Sequence, residues 1–586
     1  MLAVSAELTA SNGAYAPWPY TAALDSGQAS ENVTGPYDIP AYERHVRAVV
    51  TNKTPMGPYR GVGRVIAAFA MERMMDELAA RLDIDPLEIR RRNVVRKFPH
   101  ATAAGLRLES GDYVALLGLL EKTMGWTALR AENARLREQG LIRGAGAAFA
   151  VEQSAYGAQA LGQRNMAITP GYDTAAIRME SDGRVRVAVG LHNHGQGHET
   201  TIAQIAAEEL GLSVDDVSVV YGDTEIVPYG MGTWASRSTV CCGGATILAA
   251  AELRDRIIAL AADMLEASPA DLRLCEGNVV MRGSASRRVS IADVARRAIH
   301  EPHRLPDGVD PGLEVTRQYM PPEPGTFASS VHGAHVEIEP ETGQIRVLRY
   351  VVAEDCGTMV NPMIVDGQIH GGVAQGIGGA LLEHLAYDEQ GTLVTTSLMD
   401  YLLPTAVEVP AIEVSHQQTP SPFVPGGFKG MGEGGAINAP VAIVAAVNDA
   451  LAPLGIVANH TPLTPETEKM LGEAALRKMK PTAWLINTAR GGVIDTVALA
   501  AALRDGQLAG ACLDVLPHEP PPMDDALFSL PNVIFTPHSA FYSEGSLREL
   551  QAKAAQRVVE VLEGRMPPSI VNPSVLEQSN CRLSSR

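Results

Sequence analysis

The sequence predicts an α+β region of two lobes followed by a partial α/β segment, Rossmann-like, built on a parallel sheet. Three observations predict it. Two β-hairpin patterns in the middle of the chain are each followed by a glycine-rich passage and a helical pattern. A long helix at 3.6-residue spacing precedes them. From about residue 460 short apolar strands alternate with helical stretches, the rhythm of a parallel sheet crossed by helices.

The elements follow in chain order. The opening is turn-rich, with SNGAYAPWPY and NVTGPYDIP. Ile66, Phe69, Ala70, Met74, Leu78 and Leu82 then recur near helical spacing. Asp85-Pro86-Leu87-Glu88 reads as a helix start, with Asp at the N-cap, Pro at the first helical position and Glu two residues on. Ile177 and Met179 alternate up to Ser181-Asp182-Gly183, and Val185, Val187 and Val189 alternate away, which is a hairpin. A second hairpin runs through Val336 and Ile338, turns at Pro340-Glu341-Thr342-Gly343 and returns through Ile345 and Val347. Beyond residue 460 the strands are Trp484-Leu485-Ile486, Ala511-Cys512-Leu513 and Val533-Ile534-Phe535, and the helices run from Val497 to Leu503 and from Glu544 to Leu562. The expected division is a first lobe over 1–130, a second over 131–455, the parallel-sheet segment over 456–575 and a disordered tail over 576–586.

The chain has 586 residues, 46% of them apolar, 20% charged, and a formal net charge of −19. That composition supports a buried core and excludes a disordered or collagen-like chain. An acidic surface repels phosphate backbones, so nucleic acid is not an expected partner. Apolar stretches such as Pro440 to Val447 are too short to span a bilayer. The start MLAVSAELTA lacks the basic and apolar regions of a signal peptide. The six cysteines form no CxxC pair, which argues against a disulfide framework, a zinc ribbon or an iron–sulfur cluster on this chain. A reducing cytoplasm is the expected location.

Three loops gather glycine with a few polar groups: Pro58-Tyr59-Arg60-Gly61-Val62-Gly63-Arg64, Gly195-Gln196-Gly197-His198 and Gly430-Met431-Gly432-Glu433-Gly434-Gly435. Glycine lets backbone N–H groups approach a bulky ligand, although ordinary turns use it too. A carboxylate enclosed there would have its pKa raised by desolvation and could act as a general base. An arginine fork can orient a carbonyl and stabilise developing negative charge. Gly430, Gly432 and Gly435 match GxGxxG, but the preceding Thr419-Pro-Ser-Pro-Phe-Val-Pro425 cannot form the strand a dinucleotide turn requires.

Residues from about 13 to 455 resemble the molybdopterin-binding large subunit of the xanthine dehydrogenase and aldehyde oxidase family. The words that carry the resemblance stand in order: TNKTPMGPYRGVGR, ERMMDELAARLDIDPLEIRRRN, GQGHETTIAQIAAEELG, YGDTEIVPYGMGTWASRS, EDCGTMVNPMIVDGQIHGGVAQGIGGALLE, DYLLPTA and FKGMGEGGAINAP. PYRGVGR looks most like the branch grouped with second-form carbon monoxide dehydrogenases. The cysteine-bearing word of the true carbon monoxide enzymes is lacking, so aldehydes and N-heterocycles are the expected substrates. The resemblance implies a molybdenum–pterin cofactor, as molybdopterin or its cytosine dinucleotide form, whose pterin rather than the protein holds the metal. Glu433 matches the family's base and Arg60 its substrate-orienting arginine. Gln196 and Gln375 match glutamines that contact the pterin, with Gly197 and Gly432 in the same loops. Ser236 and Ser238 match the region that binds the cofactor phosphate. Electron transfer implies partner subunits that carry iron–sulfur clusters and FAD, in an oligomer. The family's large subunit also has an N-terminal part with a GGFGGK-like loop, and no such word is found here.

Residues from about 459 to 572 resemble the NAD-binding part of D-isomer-specific 2-hydroxyacid dehydrogenases, through HTPLTPETEKM, MKPTAWLINTARGGVIDTVALAAAL, LAGACLDVLPHEP and LPNVIFTPHSAFYS. Arg490 matches the arginine that grips the substrate carboxylate, His538 the acid/base, and Glu519 the carboxylate that pairs with it. Asp514 matches a residue near the nicotinamide, and Ala489 lies in the same cofactor-contacting word. The family's first strand, GxGxxG turn and helix are missing, so the resemblance implies a weak, partial NAD site. The expected function is a molybdenum-hydroxylase-type subunit fused to this module. The alternatives are an NAD-dependent 2-hydroxyacid dehydrogenase activity or an inactive chimeric fusion of two gene fragments.

Overall fold

In the computed structural model the residues described are 1–15, 24–166, 168–227, 229–340, 342–387, 391–454, 456–459, 467–519, 521–522 and 525–536. His538, the helical stretch 544–562 and the tail 576–586 therefore lie outside the described residues, as does Cys581. The chain divides into two compact units, Met1–Ala450 and Leu451–Arg586.

The first unit is organised by a four-stranded sheet in the order Ile412–Gln417, Ile345–Asp355, Thr326–Ile338, Ile142–Ser154. The second hairpin expected from sequence forms its centre, with Ile338 opposite Ile345. Every residue of Thr326–Ile338 is buried, because helices cover both faces. Phe149, Val151, Phe327 and Val351 point to one face, against Met71, Met75, Leu116 and Leu120. Their neighbours Ala148, Ala150, Ala328 and Val352 point to the other, against Ile369, Val373, Val441 and Ala442. The alternation is that of a pleated strand buried on both sides.

The second face is held close by glycine. A Cβ on Gly144 would stand 2.1 Å from the carbonyl oxygen of Ala446, and one on Gly146 would stand 2.2 Å from its nitrogen. Only glycine lets the helix Gly434–Leu451 lie directly on the strand Ile142–Ser154. That contact fixes where the helix begins, and so where Glu433 stands. This helix is apolar and long enough to cross a membrane, but 67% of it is buried inside the unit.

The first hairpin belongs to a second sheet, ordered Glu314–Tyr319, Asp173–Met179, Val185–Val189, Val217–Val220. It turns through a hydrogen bond from Glu180 N–H to Arg184 O, with Gly183 at φ +86°. Ile177, Val187 and Val189 pack against the helices His198–Leu210 and Gly244–Leu265 through Ile202, Ala206, Leu253 and Ile257.

Two expectations for the opening region fared differently. Asp85 caps the helix Pro86–Asn93 as read from sequence, accepting from Leu87 N–H at 2.8 Å and Glu88 N–H at 3.3 Å. The helix Gly63–Leu82 also forms, but the apolar stripe that marked it is not the face it buries. Ile66 and Phe69 are each 45% exposed, whereas Ala67, Met71, Met75 and Ala79 are inside with the charged Arg64 and Glu72. The reason is ion pairing across distant elements. Glu72 meets Arg90 at 2.7 Å, both fully buried, and Arg64 meets Glu433.

The second unit carries a parallel four-stranded sheet, ordered Ile456–Asn459, Trp484–Asn487, Gly510–Leu513, Val533–Phe535. The helix Thr496–Arg504 starts at Asp495, which accepts from Val497 and Ala498 N–H at 3.1 Å, and buries Leu499 and Leu503 against Leu485 and Leu513. The parallel α/β rhythm of the sequence is thus the fold of this unit.

Candidate active site

Arg60 ends the loop that leads into the helix Gly63–Leu82, and Glu433 occupies the turn before the helix Gly434–Leu451. The structure brings them together. Arg60 Nε donates to Gly432 O at 2.7 Å, Nη1 to Gln375 Oε1 at 2.9 Å, and Nη2 to the backbone and side-chain oxygens of Gln368 at 3.0 and 3.2 Å. Four bonds thus draw on its five N–H groups, and they tie the 430s turn to the helix Pro362–Leu381. Burial lowers the pKa of Arg60, an effect Glu152 and Glu433 oppose.

Arg64, one helical turn on, is the direct ionic partner of Glu433. It is buried, and it also donates to Gly61 O at 3.0 Å, to Tyr156 Oη at 3.1 Å and to Gln153 O. Burial works against its charge, but Glu433, Tyr156 and Glu152 outweigh that and hold its pKa above the ordinary value.

Behind Glu433 stands a buried acid that the sequence did not flag. Glu152, at the end of the strand Ile142–Ser154, accepts from Ser236 Oγ and, at 3.4 Å, from Glu433 N–H. Desolvation and the nearby Glu433 push its pKa up to about 7, although Arg64 opposes the shift. Among the described residues its second oxygen has no hydrogen-bond partner, nor has Oε2 of the equally buried Glu354. Both carboxylates crowd Gly434, where a Cβ would lie 3.1 Å from Glu152 and 3.6 Å from Glu354.

A cavity of about 560 Å³ opens in front of these groups. Arg60, Gln196, Ser236, Ser238, Gln375, Gly432 and Glu433 all line it. Gly197 stands at its rim as the N-cap of the helix His198–Leu210, at φ +70°. Gln196 is held locally, accepting from His194 N–H and lying 3.3 Å from His194 Nδ1. Ser238 donates to Thr233 at 3.0 Å. His198 also lines the cavity; burial lowers its pKa to about 4, and its Nε2 has no hydrogen-bond partner among the described residues. A second chamber of about 200 Å³ shares Arg60, Trp234, Ala235 and Glu433 with the first.

The donor set suits a polar heterocycle that bears a phosphate. Amides, hydroxyls and a neutral imidazole with one free nitrogen surround the space, and Gly432 keeps it open, since a Cβ there would stand 3.2 Å from Ser236 Oγ. The residues present therefore fit a pterin cofactor.

In the second unit, Asp514 and the segment Asn487–Arg490 meet at the carboxyl ends of adjacent strands, the usual ligand edge of a parallel sheet. Asp514 N–H donates to Asn487 O at 3.0 Å, and its carboxylate accepts from Thr536 Oγ1. Ala489 N–H donates to Asn487 Oδ1 at 3.1 Å. Arg490 is exposed, with Nη1 on Ala489 O at 2.8 Å. Glu519 is exposed too, and accepts from Leu516 N–H in its own loop at 2.9 Å. His538 lies outside the described residues.

Arg64 and Glu152 are the functional candidates that sequence reasoning missed. Arg64 stands in the same word as Arg60, so the signal was present. Glu152 follows the apolar run AAFAV, and an acid at the end of a buried strand is itself a signal.

Comparison with known proteins agrees with this geometry. Residues 1–94 and 119–410 match molybdopterin cofactor-binding domains. Residues 436–540 match the NAD-binding domain of D-isomer-specific 2-hydroxyacid dehydrogenases. The chain is 41% identical over 482 residues to the nicotine 6-hydroxylase large subunit of Paenarthrobacter nicotinovorans, covering 82% of this chain and 59% of that protein. It is 39% identical to the carbon monoxide dehydrogenase large chain of Hydrogenophaga pseudoflava, over 74% of this chain and 54% of that one. Among solved structures, quinoline 2-oxidoreductase from Pseudomonas putida 86 superposes with a TM-score of 0.75 at 42% identity, over 79% of this chain and 59% of that one. The chain thus spans somewhat more than half the length of the relatives it matches, all of which are oxidoreductases. The first unit belongs to the molybdopterin cofactor-binding family, as a homologue of molybdenum hydroxylase large subunits, and a 2-hydroxyacid dehydrogenase NAD-binding domain is fused to its C-terminal end.

Proposed function

We propose that the first unit holds a molybdenum–pterin cofactor, as molybdopterin or its cytosine dinucleotide form, and serves an oxidoreductase that adds a water-derived oxygen to an aldehyde or N-heterocycle carbon. The observation that carries this reading is the convergence of Arg60, Gln375, Gly432, Ser236 and Glu433, from distant parts of the chain, on one cavity. Gln196, Gln375, Ser236 and Ser238 would hold the cofactor, with Gly197 and Gly432 giving it room. When bound, the cofactor supplies the two-electron oxidation.

The chain's own residues supply the rest. Glu433 accepts a proton from the attacking oxygen, and Arg64 fixes that carboxylate in one orientation. Arg60, which lines the cavity, braces the turn through Gly432 and Gln375, and the N–H its four bonds leave over would orient the substrate. Glu152 holds the Glu433 backbone and Ser236 in register. Electrons leave through iron–sulfur and FAD subunits of a cytoplasmic oligomer. Residues 1–130 and 131–455 act as the two cofactor lobes.

A second reading concerns residues 456–575, where Asp514 and Ala489 border the ligand edge of a parallel sheet. They form a partial NAD site in which Arg490, Glu519 and His538 would act on a 2-hydroxy acid.

Co-expression with iron–sulfur and FAD subunits, followed by molybdenum analysis and pterin release on denaturation, tests the first reading. Stoichiometric metal is expected, and protein free of both metal and pterin would overturn it. Energy transfer to bound NADH tests the second, and its absence at millimolar NADH would overturn it.

A further inference from the structure

Two buried acids lie beneath the turn that carries Glu433. Glu152 and Glu354 stand on the strands that flank Thr326–Ile338, opposite Ala328 and Ser330 respectively. Residues paired across a sheet share a face, so both carboxyls point to the face that packs on the helix Gly434–Leu451. The central residues between them are small, and the helix begins with a glycine. A Cβ on Gly434 would stand 3.1 Å from Glu152 Oε2 and 3.7 Å from Glu354 Oε2, so the two unbonded oxygens border one small space.

Among the described residues no cation makes an ion pair with either acid. Arg64 acts on Glu152, but its own ionic partner is Glu433. Arg60 also feels Glu152, while its fork binds Gly432, Gln375 and Gln368. Asp355 follows Glu354 on its strand, points to the opposite face and accepts from Thr419 and Gln417. Lys429 donates to Ser110 O and Thr419 Oγ1. Cys356 is a thiol that burial keeps protonated. His332, two residues beyond Ser330 on the central strand, is neutral because burial lowers its pKa to about 3. The covering helices bring the apolar Ile369 and Val441 and the uncharged Asn438, which donates to Ser330 O at 2.9 Å.

Two ionised carboxylates in that setting would be buried charges side by side, next to a third on Glu433. Burial pushes the Glu354 carboxyl well above its ordinary value, and Glu152 and Asp355 push it further. One proton removes the conflict. Placed on Glu354, it turns an unbonded acceptor into a donor and gives Glu152 Oε2 the partner it lacks. Two carboxyls that crowd one site share a proton in this way and titrate as a unit.

We propose that Glu152 and Glu354 share a single proton beneath Gly434 and act as positioning residues for the base. Glu152 then keeps a negative charge behind Glu433, and its bond from the Glu433 N–H ties that charge to the turn. A like charge nearby favours the protonated form of a carboxyl, so the pair makes Glu433 readier to take a proton. This rests on the reading of Glu433 as the base and adds the groups that set its strength.

Infrared difference spectra of the purified full chain at pH about 8, wild type minus the double variant Glu152→Gln/Glu354→Gln, test the proposal. The variant is expected to lose one protonated-carboxyl band and one carboxylate band. Loss of two carboxylate bands, or of two protonated bands, would overturn the shared proton. If the double variant does not melt as a folded protein, the single variants decide: E354Q should lose the protonated band and E152Q the carboxylate band. In Glu433→Gln the pH at which the pair takes up its second proton should fall by about one unit, since a neighbouring negative charge is gone. In the cofactor-loaded complex E152Q should move the acid limb of the kcat/KM profile to lower pH by about as much. An unmoved midpoint or an unmoved limb would overturn the link to Glu433. The bands are read whatever the metal content, so a metal-free chain with one band of each kind refutes only the molybdenum reading. A metal-loaded, active chain with two carboxylate bands refutes only this one.

Discussion

Replacing Arg64 by methionine removes the cation that holds Glu433 while keeping the length of the side chain. Arg64 is 1% exposed at its side chain and Glu433 14%, so the carboxylate is left largely desolvated and unpaired. Tyr156 Oη, Gly61 O and Gln153 O each lose a donor at the same time. Removing one partner of a buried pair costs about 3–5 kcal/mol. Glu433→Gln keeps the shape but loses the charge-assisted bond, for about 1.5–3 kcal/mol. The double variant R64M/E433Q leaves no stranded charge, so the two losses do not add, and a coupling of about 2–3 kcal/mol is expected. Urea denaturation of all four proteins, followed by circular dichroism, gives the cycle. Additivity within about 0.5 kcal/mol would refute the pairing, and so would a neutral R64M.

Three further outcomes follow from the same geometry. Gly146→Ala drives a methyl into the backbone of Ala446, 2.2 Å away, and should destabilise the first unit by about 1–3 kcal/mol or more and misplace Glu433, read as a lower melting temperature with loss of cofactor. Desolvation raises Glu109 from its ordinary value of 4.5 to about 7, partly opposed by Lys429. Its stabilising share is therefore complete below about pH 4.5 and lost as pH rises through about 7, so Glu109→Gln should flatten the fall in stability between those limits, and an unchanged profile in pH-dependent urea melts would contradict this. Asp514→Ala removes the carboxylate that accepts from Thr536, which should cost the second unit about 1 kcal/mol and weaken any NADH signal, as measured by melting and by energy transfer.

Local elements were legible in the sequence because their signals are local. The cap at Asp85, the hairpin closed at Gly183 and, among the described residues after 460, the three strands and the helix Thr496–Arg504 each depend on a few neighbouring residues, and each stands as read. The buried face of Gly63–Leu82 was not legible. Its apolar stripe suggested one side, but Glu72 and Arg64 enter the core on another, because Arg90 and Glu433 are waiting there. A charge reads as exposed until its partner is known, and here the partners are 18 and 369 residues away.

The candidate site divides in the same way. Arg60, Gln196, Ser236, Gln375 and Glu433 came from ordered words, and the fold gathers them. Arg60 does something the words do not state, since most of its fork braces Gly432, Gln375 and Gln368. Glu152 carried no motif at all, and Glu354, which opens the word EDCGTMVN, was not singled out by it. Their place beneath Gly434 follows from the approach that Gly144 and Gly146 allow between strand and helix, which is a property of packing rather than of any short stretch of text.

Anomalous diffraction at the molybdenum edge, from the chain purified with its electron-transfer subunits, tests the central claim most directly. A molybdenum peak is expected inside the cavity lined by Gln196, Ser236 and Gln375, within reach of the Glu433 carboxylate. A peak elsewhere in protein that carries the metal, or a loaded cofactor with Glu433 turned away from it, would contradict the account.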